Sequence, residues 1–571
     1  MQFLSRARSI PLLTWAWDYD RMQLREDVVA GIVVTFLTIP QVIAYAFLAG
    51  LPAEAGLYAA IAALVCYAVF GSSRTLAVGP TAIVAMMTLE TVSSLAPAGT
   101  SAYAETAVQL ALVSGLVLIF LRIINFGALV SFLSHAVVTG FISAAACLII
   151  INQLAAIAGI DSAPGTGIDA VLSHLASNLS DISGVTLSIS VSAMLLMWFC
   201  RSPLSKIVVR LGLSYYLGSV LTKSAPLYAV LLGIWLVWMF ALDEVAVVGA
   251  IPTQLPSLNL QLFELQQLLH LLPSAVLISM VIFIESASVG TAVATKRREK
   301  IEPNRELVAL GGANIGAALL GGFPVAGSFA RTIVNYSSGA TSPMASLVTA
   351  LGVVVALVFL APLFFYLPQG VLSAIIVMSA LQLIDVQLIR KILVFNQTDA
   401  VTFLCTFTAV LATGVETGIL VGIAISFALL IRSSSKPNIA VVGRVGQSEH
   451  FRNVSRYAVT TCPEVLAVRI DESLYFVNTR YIETFLLNKV AESLALQHIL
   501  LICTATNFID TSGLEMLETL SENLHAVGVT LHLAEVKGPV MDRLRETDFH
   551  RQMKGKVFFT ADIAMRELGG I

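Results

Sequence analysis

Val78-Gly79-Pro80-Thr81-Ala82 and Ala326-Gly327-Ser328-Phe329-Ala330-Arg331 interrupt two otherwise apolar segments at matching places in the two halves of the chain. In a bilayer an interrupted helix leaves backbone N–H and C=O groups without partners. The break survives only where protein, water or a bound ion satisfies them. Paired breaks in corresponding positions point to a substrate site near the middle of the membrane. The arginine at the second break points to an anion as that substrate.

The rest of the composition agrees with a membrane location. Of 571 residues, 57% are hydrophobic and 12% charged, and the mean hydropathy is +0.86. A soluble domain of ordinary composition does not read this way. A net charge of -3 gives no case for nucleic acid. The six cysteines are scattered without a C-x-x-C pair or a His/Cys cluster, so reduced structural thiols, no metal centre and no cofactor are expected. Ser5 to Arg25 carries charges of both signs and two tryptophans. It reads as a cytoplasmic leader and not as a signal peptide.

Apolar stretches long enough to span recur from about Val28 to Ile431, about fourteen of them at roughly 20 residues each, some short or broken. The expected division is an N-terminal segment over 1–26, a transmembrane transport unit over 27–432 and a soluble domain over 433–571. Lys and Arg cluster in alternate loops: Arg6, Arg8, Arg21 and Arg25; Arg74; Arg122; Arg201, Lys206 and Arg210; Lys296, Arg297, Arg298 and Lys300; Arg390 and Lys391; Arg432 and Lys436. The opposite loops, near Glu54, Pro97, Asp161 to Asp181, Asp243 to Gln267 and Pro362 to Gln369, hold none. The positive-inside rule then puts both termini and the soluble domain in the cytoplasm.

The two halves read as a repeat. Ala55 to Gly71 before the Gly79-Pro80 break resembles Leu307 to Gly322 before the Gly327-Ser328 break. Seven spans followed by seven inverted ones would bring the breaks face to face. A half-helix starting after each break aims its free N–H groups and a dipole end of about +0.5 charge at one point. Arg331 adds a full charge and planar donors suited to an oxyanion. The competing explanation is that Arg331 snorkels from a helix end and Gly79-Pro80 is a kink. Glu285, in the run Val281-Ile282-Phe283-Ile284-Glu285-Ser286-Ala287-Ser288, reads as the only carboxylate inside a strongly apolar span. It is either helix glue or, with Ser286 and Ser288, a proton or sodium site. The positive ends sum to roughly +2, which balances a dianion only if Glu285 is protonated. An ionised Glu285 about 8 Å from a dianion at an effective dielectric of about 20 would be repelled by about 4 kcal/mol. Anion and proton are therefore expected to bind together. With Glu285 ionised the same site suits a monoanion such as bicarbonate.

In the first span Thr38-Ile39-Pro40-Gln41-Val42-Ile43-Ala44-Tyr45 sets a helix-breaking proline beside an amide and, one turn on, a phenol. Gln41 and Tyr45 share a helix face, either against a neighbour or lining the cavity that Pro40 favours.

These residues, with Gly50-Leu51-Pro52-Ala53-Glu54-Ala55-Gly56-Leu57-Tyr58 and Phe70-Gly71-Ser72-Ser73-Arg74, resemble the SulP sulfate-permease family, the bacterial relatives of solute carrier family twenty-six. The resemblance covers nearly the whole chain. It implies a polytopic α-helical protein with a seven-plus-seven inverted repeat, in which a core carries the anion against a gate like an elevator. It further implies a secondary active anion transporter of the inner membrane, most simply a proton-coupled sulfate symporter. By motif the anion site takes Gln41, Tyr45, Gly79, Pro80, Thr81, Ala82, Ser328, Phe329, Ala330 and Arg331, and coupling takes Glu285. Ala330 departs from the serine often found before that arginine. The sodium-driven bicarbonate branch carries an aspartate with a threonine one turn later; Glu285 with Val289 differs and favours protons.

Val465 to Val477 and His498 to Cys503 read as strands, and Asn507-Phe508-Ile509-Asp510-Thr511-Ser512-Gly513-Leu514 opens a helix. This resembles the α/β STAS domain of SulP proteins, similar to anti-sigma-factor antagonists. Thr511 or Ser512 is then a regulatory phosphorylation site, unless Asp510, Thr511 and Ser512 only cap the helix. A homodimer and a cytoplasmic partner on the STAS domain are the expected associations, beside membrane lipids. No Gly-rich loop with Lys-Ser/Thr supports ATP-driven transport, and no nucleophile and base constellation supports an enzyme. A sodium-driven bicarbonate or dicarboxylate carrier, an exchanger, an anion channel and a membrane signalling receptor keep the same site and tail; a nucleobase permease shares the architecture without the tail or the arginine.

Overall fold

The computed structural model describes residue 15, residues 19–127, 134–161, 165, 167–201, 204, 222–256 and 265–569. Arg6, Arg8, Lys206 and Arg210, most of the leader, and parts of the loops Asp161 to Asp181 and Asp243 to Gln267 lie outside the described residues. Contacts divide the chain into two compact units, Met1–Ile425 and Ser426–Ile571.

In the first unit the main helices are α1 (Arg21–Leu48), α2 (Ala53–Phe70), α4 (Ser101–Ile123), α5 (His135–Ala158), α6 (Gly184–Arg201), α7 (Ala225–Phe240), α8 (Leu265–Arg297), α9 (Pro303–Leu319), α11 (Met344–Val355), α12 (Gln369–Ala380), α13 (Gln397–Thr413) and α14 (Val415–Ser435). Between them lie two short strands, β1 (Val78–Gly79) and β2 (Ala326–Gly327), each followed by a short helix, α3 (Ala82–Ser93) and α10 (Phe329–Ser337). Among the described residues, eight helices are long and apolar enough to cross a membrane, and α3 and α7 are shorter apolar helices. At 12 and 9 residues, α3 and α10 reach only about half-way across a hydrocarbon core of about 30 Å.

Local chemistry explains the ends. Asp20 caps α1 with a reciprocal box: its Oδ1 accepts from Gln23 N at 2.7 Å, and Gln23 Oε1 accepts from Asp20 N at 3.4 Å. Thr100 caps α4 and Asn396 caps α13, while Gly159 ends α5 in the left-handed region at φ 77°. Pro40 does not break α1, which runs through it without interruption. The neighbouring hydroxyls Thr35 and Thr38 bond back to the carbonyls of Gly31 and Val34 at 2.8 Å, and neighbouring helices bury that face.

The packing is reciprocal between the halves. The second helix of each half packs on the fourth of the other (α2 on α11, α9 on α4), the first on the fourth (α1 on α11, α8 on α4), and the fifth on the sixth (α5 on α13, α12 on α6). An approximate two-fold relation between the halves produces this exchange of partners. Small residues allow a close contact between α4 and α9. A Cβ on Gly115 would lie 2.8 Å from the Gly311 carbonyl, and one on Gly311 2.9 Å from the Gly115 carbonyl.

The second unit is a six-stranded sheet in the order β4-β3-β5-β6-β7-β8. Its strands are β3 (Ile439–Arg444), β4 (Phe451–Asn453), β5 (Val465–Ile470), β6 (His498–Ile502), β7 (Thr530–Ala534) and β8 (Val557–Phe558), interleaved with α15 (Thr479–Glu492), α16 (Thr511–Ala526), α17 (Gly538–Arg545) and α18 (Ala561–Gly569). Strands β5 to β8 are parallel, with Val465 opposite His498 and His498 opposite Thr530. Strand β6 is apolar almost throughout because both faces are covered: Ile499 and Leu501 join one core with Leu520, Leu500 and Ile502 the other with Ala564. The first parallel strand ends at Ile470, seven residues before the expected Val477, where Asp471 turns to pair with Arg469.

Candidate functional site

The two breaks form one hydrogen-bonded unit. β1 and β2 pair antiparallel, Val78 opposite Gly327 and Gly79 opposite Ala326. Ser328 N donates to Ala77 O at 2.9 Å, and Ala77 N to Thr332 Oγ1 at 3.0 Å. Buried side chains take up the remaining backbone groups. Ser286 Oγ accepts from Gly327 N at 2.8 Å, Asn314 bonds both N and O of Val325, and Asn335 Nδ2 donates to Thr75 O at 2.9 Å. Irregular backbone at this depth is thus satisfied by protein, as the bilayer requires.

Arg331 is 1% exposed. It crosses from the second break to the first, where Nη2 donates to Pro80 O at 2.6 Å. Its guanidinium lies so close over Gly79 that a Cβ there would sit 3.1 Å from Nη1. Among the described residues its Nε, a donor, has no partner, nor has the accepting Oε1 of buried Gln41. A buried polar atom left unpaired costs about 1–3 kcal/mol, so these two atoms mark where a ligand or water belongs.

Thr81 begins α3 without capping it. Its hydroxyl instead donates to Glu285 Oε2 at 3.1 Å. The first N–H groups of α3 are left free of a side-chain cap, whereas Ser328 caps α10 by accepting from Arg331 N. Glu285 is half-buried and its other side meets an apolar seam with Ile83, Phe141 and Ile419. Tyr45 is buried within electrostatic range of Arg331 and Glu285. Gln41, Phe329 and Ala330 line a cavity of about 320 Å³ with Ser379 of α12.

The structure therefore brings Gln41, Tyr45, Gly79, Pro80, Thr81, Ala82, Glu285, Ser328, Phe329, Ala330 and Arg331 together. Two coupling residues differ from expectation. The Ser286 hydroxyl is spent on Gly327 N and Ile282 O, and Ser288 is exposed with no part in this network.

Nor is Glu285 the only buried acid. Asp27 is 0% exposed and accepts from Tyr19, Thr341 and Ser342. Glu306 is 1% exposed and accepts from Tyr67 and from Ser72 N and Oγ, which anchors the turn leading into the first break. Both sit at helix ends, where an acid on the sequence looks solvated. Thr332, Asn314 and Asn335 were also not singled out; a polar side chain inside an apolar segment was the available signal.

In the tail, Asp510 alone caps α16, accepting from Gly513 N at 2.8 Å and Phe476 N at 2.9 Å. Thr511 is exposed and Ser512 half-buried.

An inverted-repeat helical membrane unit with paired half-helices crossed at a buried arginine, followed by a parallel α/β tail, defines a carrier-type membrane protein. Residues 24–406 match the Sulfate permease family and residues 456–563 the STAS domain. The chain belongs to the sulfate permease family. It is 32% identical over 537 residues to a probable sulfate transporter of Mycobacterium tuberculosis, covering 92% of each chain. To the probable sulfate transporter 3.4 of Arabidopsis thaliana it is 30% identical, covering 94% of this chain and 84% of that one. Its fold matches the inward-facing murine solute carrier 26 family member A9 anion transporter at a TM-score of 0.88 and 20% identity, over 100% of this chain and 95% of that one. The transmembrane domain of a cyanobacterial bicarbonate transporter matches at 0.60 and 23% identity, over 72% and 98%.

Proposed function

We propose that this protein is a secondary active transporter that takes up sulfate together with protons across the inner membrane. The observation that carries the reading is the crossing of the two breaks. The uncapped start of α3 and the Arg331 guanidinium, whose Nε is unpaired, converge there, and among the described residues no carboxylate pairs with Arg331. Such donors hold an oxyanion. The names of the sulfate-transporting relatives favour sulfate within that class.

Protons are the coupling ion in this reading because Glu285 touches the anion site through one atom, the Thr81 hydroxyl. Ser286 is occupied elsewhere, so no ring of oxygens surrounds Glu285 to dehydrate sodium. Protonation removes the repulsion between carboxylate and dianion, so the two load together. The anion then crosses by an elevator motion of the helices bearing the breaks (α1 to α4, α8 to α11) against the others. Residues 1–26, 27–432 and 433–571 form the leader, transport domain and STAS domain. Both termini are cytoplasmic, the protein is a homodimer, and Thr511 or Ser512 and a STAS-bound protein regulate it.

The test is uptake of labelled sulfate into proteoliposomes under an inward proton gradient and then an inward sodium gradient. Accumulation under protons alone is expected. Accumulation only with sodium, or only of labelled bicarbonate, moves the chain to a sodium-driven reading. With Glu285→Gln, sulfate should still exchange but no longer accumulate; accumulation by that variant would refute the role given to Glu285.

A further inference from the structure

The cavity that reaches Gln41, Phe329 and Ala330 at one end is lined at the other by two cations, Arg201 and Lys223. Arg201 is the last residue of α6 and Lys223 stands two residues before α7. Between the two ends the wall is formed by Ile333 and Val334 of α10 and by Met378 of α12. Among the described residues no carboxylate lines the cavity. The Lys223 ammonium donates to the Ser337 hydroxyl at the far end of α10.

A cation at a helix C-terminus ordinarily offsets the helix dipole; Arg201 is so placed on α6, and the Lys223 ammonium meets the last residue of α10. Arg122 at the end of α4 shows that arrangement alone: its guanidinium folds back onto Asn125 of its own turn. Arg201 and Lys223 come from different segments of the chain yet line one concavity, which continues to Phe329 and Ala330 at the start of α10. Cations of one sign in a cleft with low-dielectric walls concentrate anions there.

We propose that Lys223 and Arg201 form a second, vestibular anion site through which a small oxyanion passes between water and the site at Arg331. Lys223 exchanges the Ser337 hydroxyl for an anion oxygen as the anion enters. This rests on the transport reading above and adds a station to it.

The test uses labelled sulfate with K223Q, R201Q and K223R in inverted and in right-side-out membrane vesicles. Ionic strengths of about 0.01 M and about 0.15 M set screening lengths of about 30 Å and 8 Å. When sulfate is presented to the vestibule face at low ionic strength, K223Q and R201Q should raise the half-saturation concentration about fivefold or more. The maximal rate should stay within about twofold, K223R should behave as wild type, and the defect should shrink at high ionic strength. Unchanged half-saturation in both variants, or equal losses on both faces and at both ionic strengths, overturns the vestibular site while leaving transport intact. A wild type that carries none of sulfate, bicarbonate or chloride overturns the transport reading and the vestibular site with it.

Discussion

The two breaks are alike in position and opposite in design. The first, Val78 to Ala82, keeps its donors open: Thr81 gives its hydroxyl to Glu285 and leaves α3 without a side-chain cap. The second, Ala326 to Arg331, satisfies itself: Ser328 caps α10, Ser286 takes Gly327 N, and Arg331 reaches over to the Pro80 carbonyl. In the proposed transport reading one break is the receptor and the other a brace that also carries the charge. A repeat related by an approximate axis has thus specialised, because a site for one anion needs a single positive centre held rigidly and a single open set of N–H groups.

The sharpest way to break this contrast is Arg331→Ala, which removes the charge from the receptor and the bond from Pro80 O together. Loss of a charged hydrogen bond, about 1.5–3 kcal/mol, should weaken sulfate affinity tenfold to hundredfold or more, read as half-saturation in uptake. Retention of affinity would mean that α3 alone holds the anion.

The glycines separate the two roles. In Gly79→Ala the new methyl would press on the guanidinium at 3.1 Å, so transport should fall about tenfold, as expected for a shift of roughly 1.4 kcal/mol in anion binding, with little loss of thermal stability. In Gly327→Ala the methyl would meet Leu76 and the Ser286 backbone at 3.0 Å. Overpacking of about 1–3 kcal/mol should then appear as a lower melting temperature. Similar profiles for the two variants would erase the distinction.

The tail holds a further self-satisfied polar group. His532 Nδ1 accepts from Lys556 N at 3.1 Å, so the proton lies on Nε2, which faces His498 Nδ1 at 3.2 Å. Burial, then the charges of His498 and Lys556, lower its pKa from 6.5 to about 4. The unfolded chain therefore binds a proton between about pH 6.5 and 4 that the folded one refuses. Stability should be level above that window and fall within it by at most about 1.4 kcal/mol per pH unit. Amide exchange of β6 and β7 in the full chain measures it, and a flat profile from pH 7 to 4 would contradict the assignment. The smallest effect belongs to Ser328→Ala. The cap it removes is long, at 3.5 Å, so the loss should be under about 1 kcal/mol in thermal unfolding and transport should persist.

How much was readable in advance can be traced residue by residue. The breaks, the intramembrane Arg331 and Glu285, and the change of character near Ser433 were visible because membrane burial penalises such residues wherever they stand. Pro40 pointed to a lined cavity, and Gln41 beside it does line one, although the neighbours that bury α1 keep it helical through the proline. Strand β5 reads too long in the sequence because Leu474 to Val477 is apolar again, while the backbone turns at the Arg469–Asp471 pair. Glu306 and Asp27 escaped notice because an acid at a helix end reads the same whether it meets water or five donors.

Composition and pattern alone therefore determined the kind of protein: spans, repeat, breaks and tail follow from local rules of burial and backbone pairing that a single chain displays. Which hydroxyl serves which break, that Ser286 braces while Thr81 meets Glu285, and that Arg201 and Lys223 face one cavity depend on contacts between residues up to hundreds of positions apart. Side-chain hydrogen bonds act over about 3 Å, and only packing brings such distant groups within that range.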